Sequence, residues 1–262
     1  MKTRWLFITA GLGSPSQEGA AKRIVESARA MKMFERVDAV LTDSLAKYAP
    51  QIDSKYAEYL NSQTKGYGYF AWKSEIVWSA ISGSFGDYEG VIWTDAGCEV
   101  NPNFFTRMRM RNFLRIAKAR GGFFYTLNTP ENNYTKSWVL RKFGINPNSE
   151  NSPQIQATWF ILHGEKGRSV ALDWLNSSLE SIEMLDISSP TPEEVPNFIE
   201  HRFDQSLLSL IVKRHGLRIS RYKPAAGNTG FKSQIRAIVH PIWISRNRYP
   251  DSIIHPAIQK LM

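Results

Sequence analysis

Short apolar segments alternate along this chain with longer segments of helical periodicity. The predicted strands are residues 5–10, 37–41, 90–94, 122–126 and 156–162, each a short run rich in apolar side chains. The predicted helices cover 71–82, 169–179 and 204–215, with an earlier one from an N-cap at Ser16 to about Met33. Alternation of this kind is typical of an α/β fold.

The composition is that of an ordinary soluble globular protein. Of the 262 residues, 42% are apolar and 22% are charged, which excludes a disordered or fibrous chain. The single cysteine, Cys98, excludes an internal disulfide and a four-thiolate zinc site, so a reducing compartment is the simplest interpretation. No segment reaches the roughly 18 consecutive apolar residues of a transmembrane helix. Glycine and proline interrupt the apolar start too early for a signal peptide, so residues 5–10 are interpreted as a buried strand.

The chain is strongly basic. Lysine and arginine total 33 against 24 acidic residues, which gives a net charge of +9. This charge fits a generally solvated basic surface, attraction to the phosphates of a nucleotide or nucleic acid, or attraction to an anionic membrane, and charge alone does not choose among them. The basic residues of the C-terminal region are Arg218, Arg221, Lys223, Lys232, Arg236, Arg246 and Arg248.

The predicted strand over 90–94 runs directly into Asp95, and two small residues follow it. In open α/β sheets, ligands bind beyond the carboxyl ends of strands. Ala96 and Gly97 leave room for a phosphate or a metal ion to approach the backbone, and a hard divalent cation prefers carboxylate oxygen. The alternative is that Asp95 only caps the next turn.

A second group of residues combines glycines, aromatic rings and a lysine at the start of a predicted helix. It covers 65–73 and ends on Trp72 and Lys73. Amides at a helix N-terminus together with Lys73 suit an anionic phosphate, and the rings could stack on a base or a sugar. The alternative is that these aromatic residues belong to the core.

Two further groups carry polar side chains. Asp204, at a predicted helix start, is either an N-cap or a carboxylate that points into a cleft. Gln205 beside it could bind sugar hydroxyls, and His201 and Arg202 could contact phosphate. His240, at the end of a short apolar segment over 237–239, is a candidate metal ligand or a structural histidine.

Three of these motifs, in this order, resemble bacterial glycosyltransferases of the GT-A fold that build O-antigen, capsule and related surface polysaccharides. The motifs are Gly-Tyr-Gly-Tyr-Phe-Ala-Trp-Lys over 66–73, Thr-Asp-Ala-Gly-Cys-Glu-Val-Asn over 94–101 and His-Arg-Phe-Asp-Gln-Ser over 201–206. The resemblance runs from about residue 5 to residue 245. It implies a single α/β domain with a Rossmann-like, mixed, mainly parallel sheet flanked by helices, over 1–245, followed by a basic tail over 246–262.

The resemblance also implies roles for individual residues. Asp204 is the expected catalytic group, and Asp95 with His240 is the expected metal-binding pair. The expected donor-binding residues are Trp72, Lys73, Asp95, Gly97, Gln156, Thr158, Arg202 and Gln205. The sequence departs from the family at Ala96 and Gly97, where the second aspartate of an Asp-x-Asp pair is absent, so strict dependence on metal does not follow.

The implied reaction is transfer of a hexose from a nucleoside-diphosphate sugar, with uridine diphosphate as the expected nucleotide, to a saccharide or lipid-linked saccharide. The implied cofactor is a divalent cation, Mn²⁺ or Mg²⁺. A cytoplasmic location with peripheral contact to the anionic inner membrane is expected, and no nucleic acid is expected as a partner. The alternatives are a non-catalytic protein that binds carbohydrate or nucleotide sugar, and a basic nucleic-acid-binding protein, which only the charge would support.

Overall fold

A seven-stranded mixed sheet forms the centre of the structure, a computed structural model that describes residues 4–186, 193–217, 219–220, 225–226 and 240–244. Its strands are β1 (Trp5–Gly11), β2 (Arg36–Leu41), β3 (Gly90–Thr94), β5 (Gly122–Pro130), β6 (Pro153–Ile155), β7 (Trp159–His163) and β8 (Ile219–Ser220). The order is β2-β1-β3-β7-β5-β6, and β8 also pairs with β5. Strands β6 and β7 run opposite to the other five. The predicted α/β class and the mixed, mainly parallel sheet are confirmed.

Helices cover both faces of this sheet. The helices are α1 (Pro15–Ala30), α2 (Leu45–Tyr48), α3 (Pro50–Lys55), α4 (Gly66–Tyr69), α5 (Trp72–Ser82), α6 (Phe104–Arg120), α7 (Glu131–Tyr134), α8 (Ser137–Lys142), α9 (Gly164–Glu180) and α10 (Phe203–Arg214). Because side chains alternate along a strand, Leu6 and Ile8 of β1 pack with α5, α9 and α10, whereas Trp5 and Phe7 pack with α1 and α6. The sheet thus separates two hydrophobic clusters.

The first helix begins at Pro15, so the N-cap predicted at Ser16 is wrong. Ser14 is the N-cap, and its side chain accepts a hydrogen bond from the Gln17 amide at 3.3 Å. Proline at the first helical position suits this arrangement, because its missing N–H would have no partner there. The helix ends at Ala30 rather than near Met33, and Lys32 follows with a left-handed φ of 52°.

Other boundaries also differ from the prediction. The strand predicted over 156–162 is two strands, β6 and β7, because residues 156–158 leave the regular ladder and the Thr158 carbonyl accepts a hydrogen bond from the Asp95 amide at 2.8 Å. Helix α9 begins at Gly164, ahead of the predicted start at 169, and β5 extends to Pro130. Helix α6 was not predicted. Asn103 caps it by accepting a hydrogen bond from the Thr106 amide at 2.9 Å.

A small three-stranded sheet lies beside the end of β3. It consists of β4 (Glu99–Val100), β9 (Ala225–Ala226) and β10 (Ile242–Ile244) in the order β4-β10-β9. The apolar segment predicted over 237–239 and the basic tail over 246–262 lie outside the described residues. The same holds for part of residues 186–197, where Pro190, Pro192 and Pro196 predict a loop. Among the helices that are described, none combines the length and the apolar character needed to cross a bilayer.

Candidate active site

Three of the predicted site residues meet at the carboxyl end of β3. The ammonium nitrogen of Lys73 lies 3.0 Å from Oδ1 of Asp95 and 2.8 Å from Oδ2 of Asp204. Lys73 comes from the first turn of α5, Asp95 directly follows β3, and Asp204 lies in the first turn of α10. The structure therefore joins the three sequence motifs through one lysine.

Asp95 presents one carboxylate oxygen to the protein and the other to solvent. Its Oδ1 accepts hydrogen bonds from Lys73 and from Nε1 of Trp93, the latter at 2.9 Å. The side chain is 36% exposed, and no contact of Oδ2 is seen within the described part of the chain. Asp95 therefore does more than cap a turn, because its carboxylate is fixed at one oxygen and open at the other.

Asp204 is not an N-cap. The N-cap position of α10 is Arg202, and Asp204, the second residue of the helix, is buried against Lys73. Burial raises the pKa of Asp204 to about 6, and the charge of Asp95 adds to this, although Lys73 opposes it. Burial by itself would lower the pKa of Lys73, but the nearby charges of Asp204 and Asp95 outweigh burial and raise this pKa above its ordinary value. The lysine therefore stays charged.

The charges of this cluster do not balance. With Asp204 ionised, Lys73 faces two carboxylates, which leaves one negative charge. A diphosphate approaching Asp95 would then meet repulsion unless further positive charge is supplied. Lys73 is only 3% exposed, so it neutralises the aspartates and does not offer an open site for phosphate.

The short element α4, which precedes Lys73, is a left-handed turn and not a regular right-handed helix. All five residues from Gly66 to Phe70 have positive φ, including 53° at Tyr67, 55° at Tyr69 and 61° at Phe70. Residues other than glycine are destabilised by about 1–2 kcal/mol each in this conformation, so the surrounding contacts must hold the left-handed backbone in place. One such contact is the hydrogen bond from Nε1 of Trp72 to the Gly66 carbonyl, at 3.0 Å.

Phe203, at the start of α10, also has a left-handed φ of 47°. Its ring stacks on Tyr69 at 6.2 Å between centroids and meets Phe70 edge-on at 5.5 Å. These ring contacts fasten the left-handed turn to the helix that carries Asp204. These rings thus make structural contacts, and their stacking on a base or a sugar remains a prediction. Trp72 likewise is 5% exposed, and its ring lies 6.3 Å from that of Trp93.

The chain over 156–158 passes next to Asp95. The Thr158 carbonyl holds the Asp95 amide, and Gly97 lies in the turn that a hydrogen bond from Cys98 to the Asp95 carbonyl closes at 3.0 Å. Gln156 is buried, and its Oε1 has no hydrogen-bond partner in the described part of the chain. A buried amide oxygen without a partner is a candidate for binding a ligand hydroxyl.

Gln205 and Arg202 both contact other groups of the protein. The Gln205 amide donates to Oε1 of Gln154 at 2.7 Å and accepts from the Ala157 amide at 3.3 Å. The Arg202 guanidinium pairs with Glu200 at 3.0 Å and stacks on Tyr134 at 3.6 Å. The structure does not bring either side chain to the Lys73 cluster, and their donor-binding roles remain predictions.

Two histidines from the sequence analysis are buried. His201 accepts from the Lys136 amide at 3.2 Å and lies 2.8 Å from the Met184 carbonyl, and burial lowers its pKa to about 4. It is therefore a neutral structural residue at pH 7.

His240 lies among aromatic rings. Its Nδ1 is 2.6 Å from the Ile242 carbonyl and its Nε2 is 3.4 Å from the Tyr125 hydroxyl. Burial lowers the pKa of His240 to about 4, which keeps the imidazole neutral. Within the described residues, no group of three or more His, Cys, Asp or Glu side chains is arranged to hold a metal ion. The assignment of His240 as a metal ligand remains a prediction.

The sequence analysis assigned no role to two residues beside Asp95. Trp93 orients the carboxylate, and Arg23 of α1, only 5% exposed, donates to the Ala96 carbonyl at 3.3 Å. The sequence contained a signal for Arg23, because this arginine interrupts the apolar helix face formed by Ala20, Ile24 and Ala28. A charged side chain on such a face needs a partner inside the protein.

Comparisons with known proteins give little further information. No family model and no curated protein matches the chain. Among solved structures, the apo form of mouse xyloside xylosyltransferase 1 is similar, with a TM-score of 0.44, 12% sequence identity, and coverage of 92% of this chain and 97% of that one. A likeness this distant says nothing about the activity of this chain.

Proposed function

We propose that the chain is a GT-A-like glycosyltransferase that transfers a hexose from a nucleoside-diphosphate sugar to a saccharide or lipid-linked saccharide. The observation that carries this proposal is the pairing of Lys73 with both Asp95 and Asp204 at the carboxyl end of β3. Ligand sites of open α/β sheets occur at this edge. The resemblance of the three motifs to enzymes of surface polysaccharide synthesis supports the choice of substrates.

In the proposed reaction, the bond between the anomeric carbon and the leaving diphosphate oxygen breaks. A bond between that carbon and an acceptor hydroxyl oxygen forms, and the hydroxyl proton passes to Asp204 or to the leaving diphosphate. A pKa near 6 suits a group that must accept a proton at neutral pH. Lys73 holds the Asp204 carboxylate in place and stabilises its ionised form.

A divalent cation fits this site only together with the diphosphate. Asp95 offers one open carboxylate oxygen, and Mg²⁺ is commonly held by one or two carboxylates plus substrate phosphates. When bound, the cation would supply positive charge against the departing diphosphate. The Lys73 cluster has excess negative charge, and Asp95, with its open carboxylate oxygen, is the residue that would hold Mn²⁺ or Mg²⁺.

The proposal is tested by release of uridine diphosphate from uridine-diphosphate hexoses, measured with manganese and with a chelator. The wild-type chain is expected to release the nucleotide, and Asp95→Asn is expected to lose that activity while it keeps its fold. Asp87→Asn is the matched control, because Asp87 is an exposed aspartate that pairs with Arg4 before the amino-terminal end of β3, whereas Asp95 follows the carboxyl end of that strand. Equal activity in wild type and Asp95→Asn, with manganese present, would refute the proposal.

The second candidate is a non-catalytic protein that binds nucleotide sugar. The observation that favours it is burial, because the Asp204 side chain is only 7% exposed and Lys73 is fully engaged. Binding of the nucleotide sugar without release of nucleotide, either with an acceptor or with water, would select this candidate.

A further inference from the structure

Helix α6 begins with an exposed apolar cluster. Phe104 is 66% exposed, Phe105 63% and Met108 50%. The two rings meet edge-on with 5.6 Å between their centroids. Contiguous large apolar side chains on a surface mark an interaction site, because each exposed ring leaves apolar area in contact with water.

The same helix is strongly basic. It contains no acidic residue, and its basic residues are Arg107, Arg109, Arg111, Arg115, Lys118 and Arg120. Arg111 and Arg115 are exposed, and they follow Phe104 and Met108 at spacings of one helical turn. One face of α6 thus presents an apolar cluster and then a row of arginines.

The opposite face of α6 holds the helix in the fold. Met110, Phe113, Leu114 and Ala117 are buried against the sheet. The exposed face is therefore not needed for the hydrophobic core, and the rigid packing behind it presents the rings in a fixed direction. A helix with aromatic residues and arginines on one exposed face is typical of a segment that lies at a lipid interface.

We propose that the exposed face of α6, defined by Phe104, Phe105, Met108, Arg111 and Arg115, docks on an anionic lipid bilayer. The rings and Met108 enter the boundary between headgroups and acyl chains, and the arginines bind the negative headgroups. Charge complementarity selects this occupant, since the face has two exposed arginines and the helix has no carboxylate.

The exposed face of α6 is close to Asp95 along the chain, which connects membrane docking with the candidate active site. Asp95 is followed by the short strand β4, and α6 begins soon after it, at Phe104. A bilayer bound to the first turn of α6 would bring the Asp95 turn close to headgroups, where a lipid-linked saccharide presents its sugar. This last step rests on the proposed function, whereas the docking itself does not.

The test is co-sedimentation of the full chain with vesicles of phosphatidylcholine alone or mixed with phosphatidylglycerol. The wild type is expected to bind the anionic vesicles. Arg111→Gln with Arg115→Gln should weaken binding about fivefold per arginine, which corresponds to about 1 kcal/mol each. Phe104→Ser with Phe105→Ser should weaken it by about tenfold or more. The matched control is Lys47→Gln with Lys166→Gln, which removes the same charge from exposed positions on α2 and α9.

Several results would overturn the proposal. One is equal binding to neutral and anionic vesicles, and another is an equal loss in the control, which would show a general effect of charge. A lower melting temperature of the phenylalanine variant with unchanged vesicle binding would show that the rings pack on the chain itself. Dissociation of a dimer by the same variant would assign the face to a second copy. Nucleotide release from soluble donor should be unchanged in both α6 variants, which separates this test from that of the proposed function.

Discussion

The ammonium group of Lys73 lies 2.8 Å from a carboxylate oxygen of Asp204, inside the protein and with both side chains more than nine-tenths buried. This ion pair joins helix α5, which carries Lys73, to helix α10, which carries Asp204. Asp95 shares the same ammonium group at 3.0 Å. A change at any of the three residues should therefore alter the electrostatic environment of the other two.

Replacement of Lys73 by methionine should destabilise the fold at pH 8 by about 3–5 kcal/mol, because it leaves Asp204 buried and charged without its partner. The loss should be smaller at pH 5, where Asp204 is protonated. Urea unfolding at the two pH values measures this difference. Lys47→Met, at an exposed position, is the control and should change stability by less than about 0.5 kcal/mol. A Lys73→Met variant as stable as wild type at pH 8 would contradict the role of the ion pairs.

Replacement of Asp204 by asparagine should lower the rate of transfer by orders of magnitude and leave donor binding intact. Asparagine keeps the shape of the side chain but cannot accept a proton. In the wild type, the rate should fall as the pH drops below about 6, because Asp204 then becomes protonated. A pH profile of both proteins measures the effect. Survival of transfer in Asp204→Asn would make the leaving diphosphate the base.

The Asp204→Asn variant also tests how the free energy of unfolding depends on pH. The pKa of Asp204 is raised in the fold from its ordinary value of 3.8 to about 6, so ionisation opposes folding. The stability that the protonated group contributes is complete below pH 3.8 and is lost as the pH rises through about 6. Asparagine lacks this loss, so Asp204→Asn should gain stability relative to wild type between pH 5 and pH 8. If the difference in stability between Asp204→Asn and wild type does not change between pH 5 and pH 8, the pKa of Asp204 is not raised in the fold.

The left-handed turn can be tested at Gly66. An alanine there would have a φ of 66°, and its Cβ would lie 2.3 Å from the Phe70 ring. We expect a stability loss of about 2 kcal/mol or more and a lower transfer rate, because Phe70 must move from Phe203 and from Lys73. The matched control is Gly144→Ala, where φ is 74° and nothing lies within 4 Å of the added carbon. Equal losses at the two positions would show that only the backbone conformation matters.

The sequence predicted the fold well where the signal is local. Apolar runs located the central strands β1 and β3 because these strands are buried on both faces, and helical periodicity located α5 and α10. Helix α6 was missed, since its exposed phenylalanines and frequent arginines hide the buried stripe at Met110, Phe113 and Leu114.

The candidate site was predictable in its residues but not in their contacts. Lys73, Asp95 and Asp204 stood out individually, but their pairing depends on how α5 and α10 pack against the sheet. The positive φ angles at Tyr67 and Tyr69 oppose the intrinsic preference of tyrosine, so no local rule predicts them. The orientation of Gln205 depends on Gln154, a partner from a distant strand.

The most direct test of the central claim is the thermal stability of wild type and Asp95→Asn with nucleotide sugars and manganese. Asparagine keeps an acceptor oxygen for Lys73 and Trp93 but removes the charge and the open Oδ2, so the unliganded variant should melt close to wild type. A uridine-diphosphate hexose at about 100 times its Kd should stabilise wild type by about 2.7 kcal/mol. The melting temperature of the wild type is expected to rise, and that of Asp95→Asn is expected to rise much less. No shift in wild type with any nucleotide sugar, or the same shift in both proteins, would contradict this expectation.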